Sequence, residues 1–254
     1  MTAKTALLVL DGAGYSEDPT GNVVTEEKMP KLFGLMNRHG FAQLEAAGEA
    51  VGLQDGHVGN SEVGHLSLGA GRTILSSLSR INDAFHTGQW GQNEVWQEIA
   101  KSDRLHIIGL LSDAGVHAHW SSLLQSAKLA AAAGIKELVL HPVLDGVDSQ
   151  AGSAPRLLAE LRESLEDVPN VRLGVVIGRR WFCDRSGNLD VTREYVRHLK
   201  GESPLAELDD GAIERHLQDN PSEVDFPGHL VAGGITVADG EAVLMTSHRA
   251  DRAI

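Results

Sequence analysis

The sequence has 254 residues, enough for one large domain or two small ones; 42% are hydrophobic but only 4% aromatic, which predicts a mostly aliphatic core. A net charge of −13 argues against a general nucleic-acid or anionic-membrane surface, so any bound anion must be met by a local cluster of arginines. The single cysteine, Cys183, excludes an internal disulfide and a thiolate zinc site; no apolar run nears the roughly 20 residues of a membrane span, and no secretory pattern opens the chain, so the cytoplasm is the expected compartment.

In chain order, TALLVLDGAGY predicts a short buried strand, Ala6 to Leu10, ending in Asp11 and a glycine turn. Gly56 to Arg72, GHVGNSEVGHLSLGAGR, then sets Ser61 among glycines just ahead of a helical pattern. Two readings stay open for it. As a connector, Asn60 and Ser61 are turn and N-cap residues, with Glu62 to His65 opening a helix. As a site, Ser61 is a nucleophile and the backbone N–H groups of the helix start receive a phosphate. The glycine-rich stretch ends near Thr73 to Ser79, where a new helical pattern begins and a domain boundary is expected.

Beyond that boundary, strand, turn and helix repeat. RLHIIGLLSDAGVHAH is a strand followed by a turn with Asp113, His117 and His119, and SSLLQSAKLAAAAGIK an amphipathic helix closed by Gly134. ELVLHPVLDGVDSQ is a second strand and polar turn, SAPRLLAELRESLED a second helix, and VRLGVVIGRRWFCDR a third strand ending in Arg179, Arg180 and Arg185. This order predicts an α/β fold, a parallel sheet flanked by helices with ligand groups on one edge. Gly201 to Gly234, acidic and polar, is expected to be a loop with a short helix.

Two groups of side chains carry chemistry. A serine hydroxyl needs a paired base or a metal to become a nucleophile, and Asp11, at a strand end, is of the type that ligates metals; taken alone it also reads as a turn residue. Arg179, Arg185, Arg249 and Arg252, with Asp113, His117 and Asp148, fall at separate strand and turn ends, where guanidinium groups form bidentate contacts to phosphate and carboxylate. Each arginine taken singly also reads as a solvated surface charge. Asp113/His117 and Asp225/His229 share a spacing that binds metal on a helix, but both lie in turn-like sequence near Gly or Pro, so neither is expected to hold one.

VLDGAGY, GLQDGHVGNSEVGHLSLGAGR, GLLSDAGVHAH, VLDGVDSQ, VIGRRWFCDR and SHRADRAI follow in the order and rough spacing of the cofactor-independent phosphoglycerate mutases, members of the alkaline-phosphatase superfamily. The chain resembles that family over nearly its whole length. The resemblance implies a phosphatase-like domain with two manganese ions and the serine nucleophile, and an inserted phosphotransferase domain that binds the glycerate. By it, Ser61 would take the phosphoryl group as a phosphoserine, and Asp11 and Ser61 would bind one manganese. His117, Asp148, Arg179, Arg185, Arg249 and Arg252 would hold a phosphorylated small acid such as phosphoglycerate while it reorients between its 2- and 3-positions.

On the same footing, residues 1–74 would be a partial phosphatase-like segment and residues 75–254 a complete phosphotransferase-like domain. The family's remaining metal ligands and a catalytic lysine lie in a second half that these residues do not contain, which implies a split enzyme completed by a second chain. The family's DGRD reads DGVD here, with Val147 in place of an arginine, and its RPDR reads RADR, with Ala250. These departures leave two alternatives open: a non-catalytic module that binds a phosphorylated acid, or a transferase acting on a phosphonate or another phosphorylated acid.

Overall fold

Runs of apolar residues too long to alternate belong in strands covered on both faces. The two longest become the centre of a sheet: β1 (Arg104–Leu111) and β2 (Glu137–Leu144), each buried at seven of eight positions. They pair in parallel along their whole lengths, Arg104 opposite Glu137 through Leu111 opposite Leu144. The computed structural model describes residues 5–183 and 187–249. The chain divides into two units, residues 1–79 and 80–254, and the sheet lies in the second.

The sheet is completed by β3 (Val171–Leu173), β4 (Val175–Gly178), β5 (Ala206–Leu208), β6 (His229–Val231) and β7 (Ala242–Met245). Its order is β5-β6-β4-β2-β1-β7, with β3 also on β2, and every pairing is parallel except β4 with β6. The expected third strand is thus interrupted at Gly174. There the Val175 N–H leaves the ladder to donate to His141 Nδ1 at 2.9 Å, and any Cβ at Gly174 would lie 2.6 Å from the His141 ring.

The helices are α1 (Pro30–His39), α2 (Ser61–Ala70), α3 (Ser77–Thr87), α4 (Glu94–Ile99), α5 (Trp120–Ala132), α6 (Ala154–Leu165), α7 (Leu189–Leu199) and α8 (Ala212–Asp219). One face of the sheet, including Leu105, Ile107, Leu138 and Leu140, packs on Leu123 and Ala127 of α5 and Leu157 and Leu161 of α6. The other, including Ile108, Leu110 and Val143, packs on Tyr195 and Leu199 of α7. A mostly parallel sheet with helices on both faces is therefore present. Among the described residues no helix is long and apolar enough to cross a membrane.

Two expectations need correction. Residues 201–234 are more than a loop with a helix, because β5 and β6 lie within them on either side of α8; strands of three residues are too short to show a period. Residues 6–10 do not form a strand, and Leu7 and Leu8 are 79% and 83% exposed. A strand exists only by pairing its backbone, and the first unit has no strand among its described residues for residues 6–10 to pair with.

A chain of buried imidazoles crosses the sheet toward the end opposite Leu111 and Leu144. Because the Val175 N–H donates to His141 Nδ1, His141 Nε2 carries the proton and donates to His106 Nδ1 at 2.9 Å. His106 Nε2–H then donates to Glu241 Oε2 at 2.9 Å. Every nitrogen is satisfied with both rings neutral. Burial, aided by His106, pushes His141 down to about 3, and burial lowers His106 in spite of Glu241.

A histidine depressed in the fold binds its proton more readily when unfolded, so its stabilising contribution is full above the unfolded value, near 6.5, and is lost as pH falls below it. The slope is roughly 1.4 kcal/mol per pH unit for each histidine that protonates only on unfolding. The urea midpoint should therefore fall between pH 6.5 and 4.5, and His141→Gln should flatten that fall. A midpoint constant over that interval would contradict the assignment.

Candidate functional site

Because the strands run in parallel, β1, β2, β4 and β7 end on one edge of the sheet. The turn after β2 is built by Asp145, a fully buried carboxylate. It accepts the N–H groups of Val147 (3.3 Å), Asp148 (3.2 Å) and Ser149 (2.8 Å), folding LDGVDS back on itself. Gly146 takes the positive φ of 65° that this tight turn requires. Ser149 Oγ lies 2.9 Å from Ser112 Oγ and accepts the Asp113 N–H at 3.0 Å, tying the turn to the end of β1.

Arg179 follows β4 directly and is itself buried. Its Nη1 donates to Asp145 Oδ1 at 2.5 Å and pairs with Asp148 Oδ2 at 2.7 Å. Burial alone would weaken the charge of Arg179, but the two carboxylates outweigh it and raise its pKa. Burial likewise pushes Asp148 up, while the hydrogen bonds from His117 and Arg179 hold its carboxyl below its ordinary value.

His117 is 2% exposed, and its Nδ1 donates to Asp148 Oδ2. With that proton committed, the approach of Arg179 Nη2 to Nδ1 at 3.3 Å is a close contact rather than a second hydrogen bond. Nε2, on the other side of the ring, is buried without a hydrogen-bond partner among the described residues. An unsatisfied buried polar atom of this kind costs about 1–3 kcal/mol, which a ligand bound against it would offset.

The chain beyond β7 returns to the same place. The Thr246 N–H donates to Ile108 O at 2.9 Å, and the His117 carbonyl accepts from Ser247 Oγ (3.2 Å) and the His248 N–H (3.0 Å). Arg249 follows immediately on this anchored backbone. The structure thus brings together His117, Asp148 and Arg179, with the backbone before Arg249 beside them. Arg185 and Arg252 lie outside the described residues.

Three further expectations resolve locally. His119 caps α5 by accepting the Ser121 N–H at 3.2 Å. Asp113 pairs with Arg156 at 2.7 Å and Asp225 with Arg180 at 2.9 Å, so both aspartates of the Asp-x-x-x-His spacings are engaged by arginines. Sequence reasoning missed Asp145, Ser112 and Ser149. The signal for Asp145 was its place at a strand end two residues ahead of Val147, in the turn already singled out for Asp148.

In the first unit, Asn60 caps α2 by accepting the Val63 N–H at 3.1 Å, and Ser61 is the first helical residue. Ser61 Oγ donates to Asp11 Oδ2 at 2.7 Å across 50 residues of sequence, and both side chains are exposed. This is the geometry of the connector reading, and it is compatible with the site reading, since a capped helix start also presents N–H groups to an anion. The two oxygens are hard donors of the kind manganese accepts. Their number does not fit, because among the described residues no group of three or more His, Cys, Asp or Glu is arranged to hold a metal.

Residues 81–254 match the family described as BPG-independent PGAM N-terminus. Two relatives named 2,3-bisphosphoglycerate-independent phosphoglycerate mutase come from Vibrio atlanticus (strain LGP32) and Syntrophotalea carbinolica (strain DSM 2380 / NBRC 103641 / GraBd1). They are 35% identical over 259 residues and 36% identical over 257, each alignment covering 98% of this chain but only 51% and 50% of the relative. The chain spans about half the length of the curated relatives it matches. A crystal structure of Leishmania mexicana phosphoglycerate mutase at low cobalt concentration is similar with a TM-score of 0.72 and 29% identity, covering 83% of this chain and 42% of that one.

Proposed function

Since the chain belongs to the BPG-independent phosphoglycerate mutases, we propose that its second unit holds phosphoglycerate while a phosphoryl group moves between the 2- and 3-positions, and that Ser61 carries the group in between. Ser61 Oγ attacks phosphorus as the bond from phosphorus to the substrate oxygen breaks, leaving phosphoserine and glycerate; the other hydroxyl of the reoriented glycerate then takes the group back. The serine proton goes to the departing alkoxide and returns in the second step.

The observation that carries this reading is the buried, unpartnered Nε2 of His117 beside Arg179. Asp148 fixes the imidazole so that Nε2 faces outward from the pair, able to accept a hydroxyl proton or, when the ring is charged, to donate to a phosphate. Arg179 keeps Nη2 for an anion after Nη1 has met both aspartates. Asp11 and Ser61 would contribute two oxygens to a manganese site whose other ligands come from outside these 254 residues, a second chain included.

Titration calorimetry with 3-phosphoglycerate tests the reading: the wild type should bind and His117→Ala should not, with the fold retained by circular dichroism. Absence of binding to the wild type would sink it.

Val147 supports a second reading for the substrate. It is 60% exposed in the Asp148 turn and places no cation there, which suits an acid that needs no cation at that position, whether a phosphonate or another phosphorylated acid. Val147→Arg should tighten phosphoglycerate binding by about tenfold, the worth of one charge-assisted hydrogen bond. Unchanged affinity, together with tighter binding of a phosphonate by the wild type, would move the assignment to that acid.

A further inference from the structure

Glu223 is a fully buried carboxylate that the chemistry above leaves unused. It sits in a short 3-10 turn, Glu223–Asp225, far along the chain from the residues it meets. Its Oε2 accepts the Gly152 N–H at 2.7 Å and its Oε1 the Ala154 N–H at 2.9 Å. Ser153, at the N-cap of α6, makes no side-chain cap of its own. Glu223 therefore satisfies the helix start from outside and holds the far end of the turn that begins at Asp145.

The same segment touches the near end of that turn. Ser222 Oγ donates to Gly146 O at 3.4 Å and accepts the Val224 N–H at 3.1 Å. A Cβ on Gly146 would lie 2.6 Å from Ser222 Oγ and 2.9 Å from Glu223 Oε2, so the turn packs on the segment with no room between. Three residues further on, Phe226 O accepts the Gly178 N–H at 2.9 Å. Gly178 immediately precedes Arg179, and a Cβ there would lie 2.6 Å from the Glu223 carbonyl. One short stretch thus grips both pieces of backbone that carry the buried ion pair, the Asp145–Asp148 turn and the Gly178–Arg179 junction.

We propose that Glu223 is a positioning residue for the phosphorylated-acid site: it clamps the 145–152 turn to the 222–226 segment and so sets the spacing of Asp148 and His117 from Arg179. The binding consequence rests on the function proposed above; the clamp itself does not. Glu223→Gln keeps the volume but turns an NH2 toward one of two backbone donors, so one grip is lost.

The test is hydrogen exchange with mass readout on the full chain, beside titration with 3-phosphoglycerate. In Glu223→Gln, amides of residues 146–152 should exchange about tenfold faster while those of β1 and β2 are unchanged, and affinity should fall by about tenfold, the scale of one lost hydrogen bond to a charged group. Glu223→Asp, which still reaches one donor, should recover part of both effects. Ile135→Val, a core change at the opposite end of β2, should alter neither readout.

Unchanged exchange in the turn, or acceleration spread evenly through β1 and β2, would overturn the proposal. Should Glu223→Gln fail to fold, Ser222→Ala and Glu223→Asp answer the same question by the same exchange pattern. If the wild type binds no phosphoglycerate, the functional reading falls, and exchange in the turn still decides whether Glu223 is its clamp.

Discussion

Arg179→Ala is expected to cost about 4 kcal/mol of stability and to remove phosphorylated-acid binding, because it breaks a buried ion pair rather than deleting a surface charge. The guanidinium stands between Asp145 and Asp148, whose side chains are 0% and 12% exposed. Without it the two carboxylates face each other with no cation, and removing one partner of a buried pair typically costs about 3–5 kcal/mol. Asp145 keeps its three backbone donors, so the damage should concentrate on Asp148. Burial already pushes that carboxyl up, and the loss of Arg179 removes one of the hydrogen bonds that hold it down.

With Asp148 loosened or protonated, His117 loses the acceptor that orients its ring, and the outward-facing Nε2 is no longer fixed. Arg179→Lys should rescue little, since an ammonium is a point charge that does not bridge two acids as a fork does. Urea denaturation and calorimetry with 3-phosphoglycerate measure both arms, with affinity expected to drop at least about a hundredfold for a lost charge-assisted contact plus a misplaced histidine. Wild-type stability and affinity in Arg179→Ala would show that the centre of the site lies elsewhere.

What the sequence made legible follows from range. β1, β2, α5 and α6 each declare themselves within a dozen residues, through an unbroken apolar run or a helical period bounded by turn residues. Asp148, His117 and Arg179 were legible as polar groups at the ends of such elements, and parallel pairing alone then gathers them on one edge. Glu223 and its partners are separated by 71 and 69 residues, and nothing local distinguishes a buried clamp from an ordinary acid in a polar stretch. Asp145 hides only in part: its three backbone contacts lie within its own turn, but its ion pair with Arg179 exists only once β4 has delivered that residue beside it.

The failure at residues 6–10 has a different cause. TALLVL has strand composition, yet composition supplies only the side chains for a half-buried surface. The backbone hydrogen bonds must come from a neighbour, and no strand stands among the described residues of the first unit to give them. Leu7 and Leu8 accordingly remain on the surface. β5 and β6 escaped notice for the opposite reason, since their three residues each are defined almost wholly by their pairing with each other and with β4.

Ser61→Ala should separate binding from chemistry. The serine is not among the groups proposed to hold the acid, so deleting one hydroxyl should leave 3-phosphoglycerate affinity within about twofold of wild type. Any conversion of 3- to 2-phosphoglycerate in the presence of manganese should fall by at least about a thousandfold, because a phosphoryl group cannot be handed on without the atom that carries it. A coupled assay on the purified chain, with and without a second polypeptide that supplies acidic and histidine ligands, gives the comparison. Asp11→Asn should also depress turnover, since it weakens the carboxylate that accepts the Ser61 hydroxyl at 2.7 Å. Turnover that survives Ser61→Ala would remove the phosphoserine from the mechanism. Turnover absent from every preparation, with tight binding intact, would instead leave the second unit as a non-catalytic receptor for a phosphorylated acid.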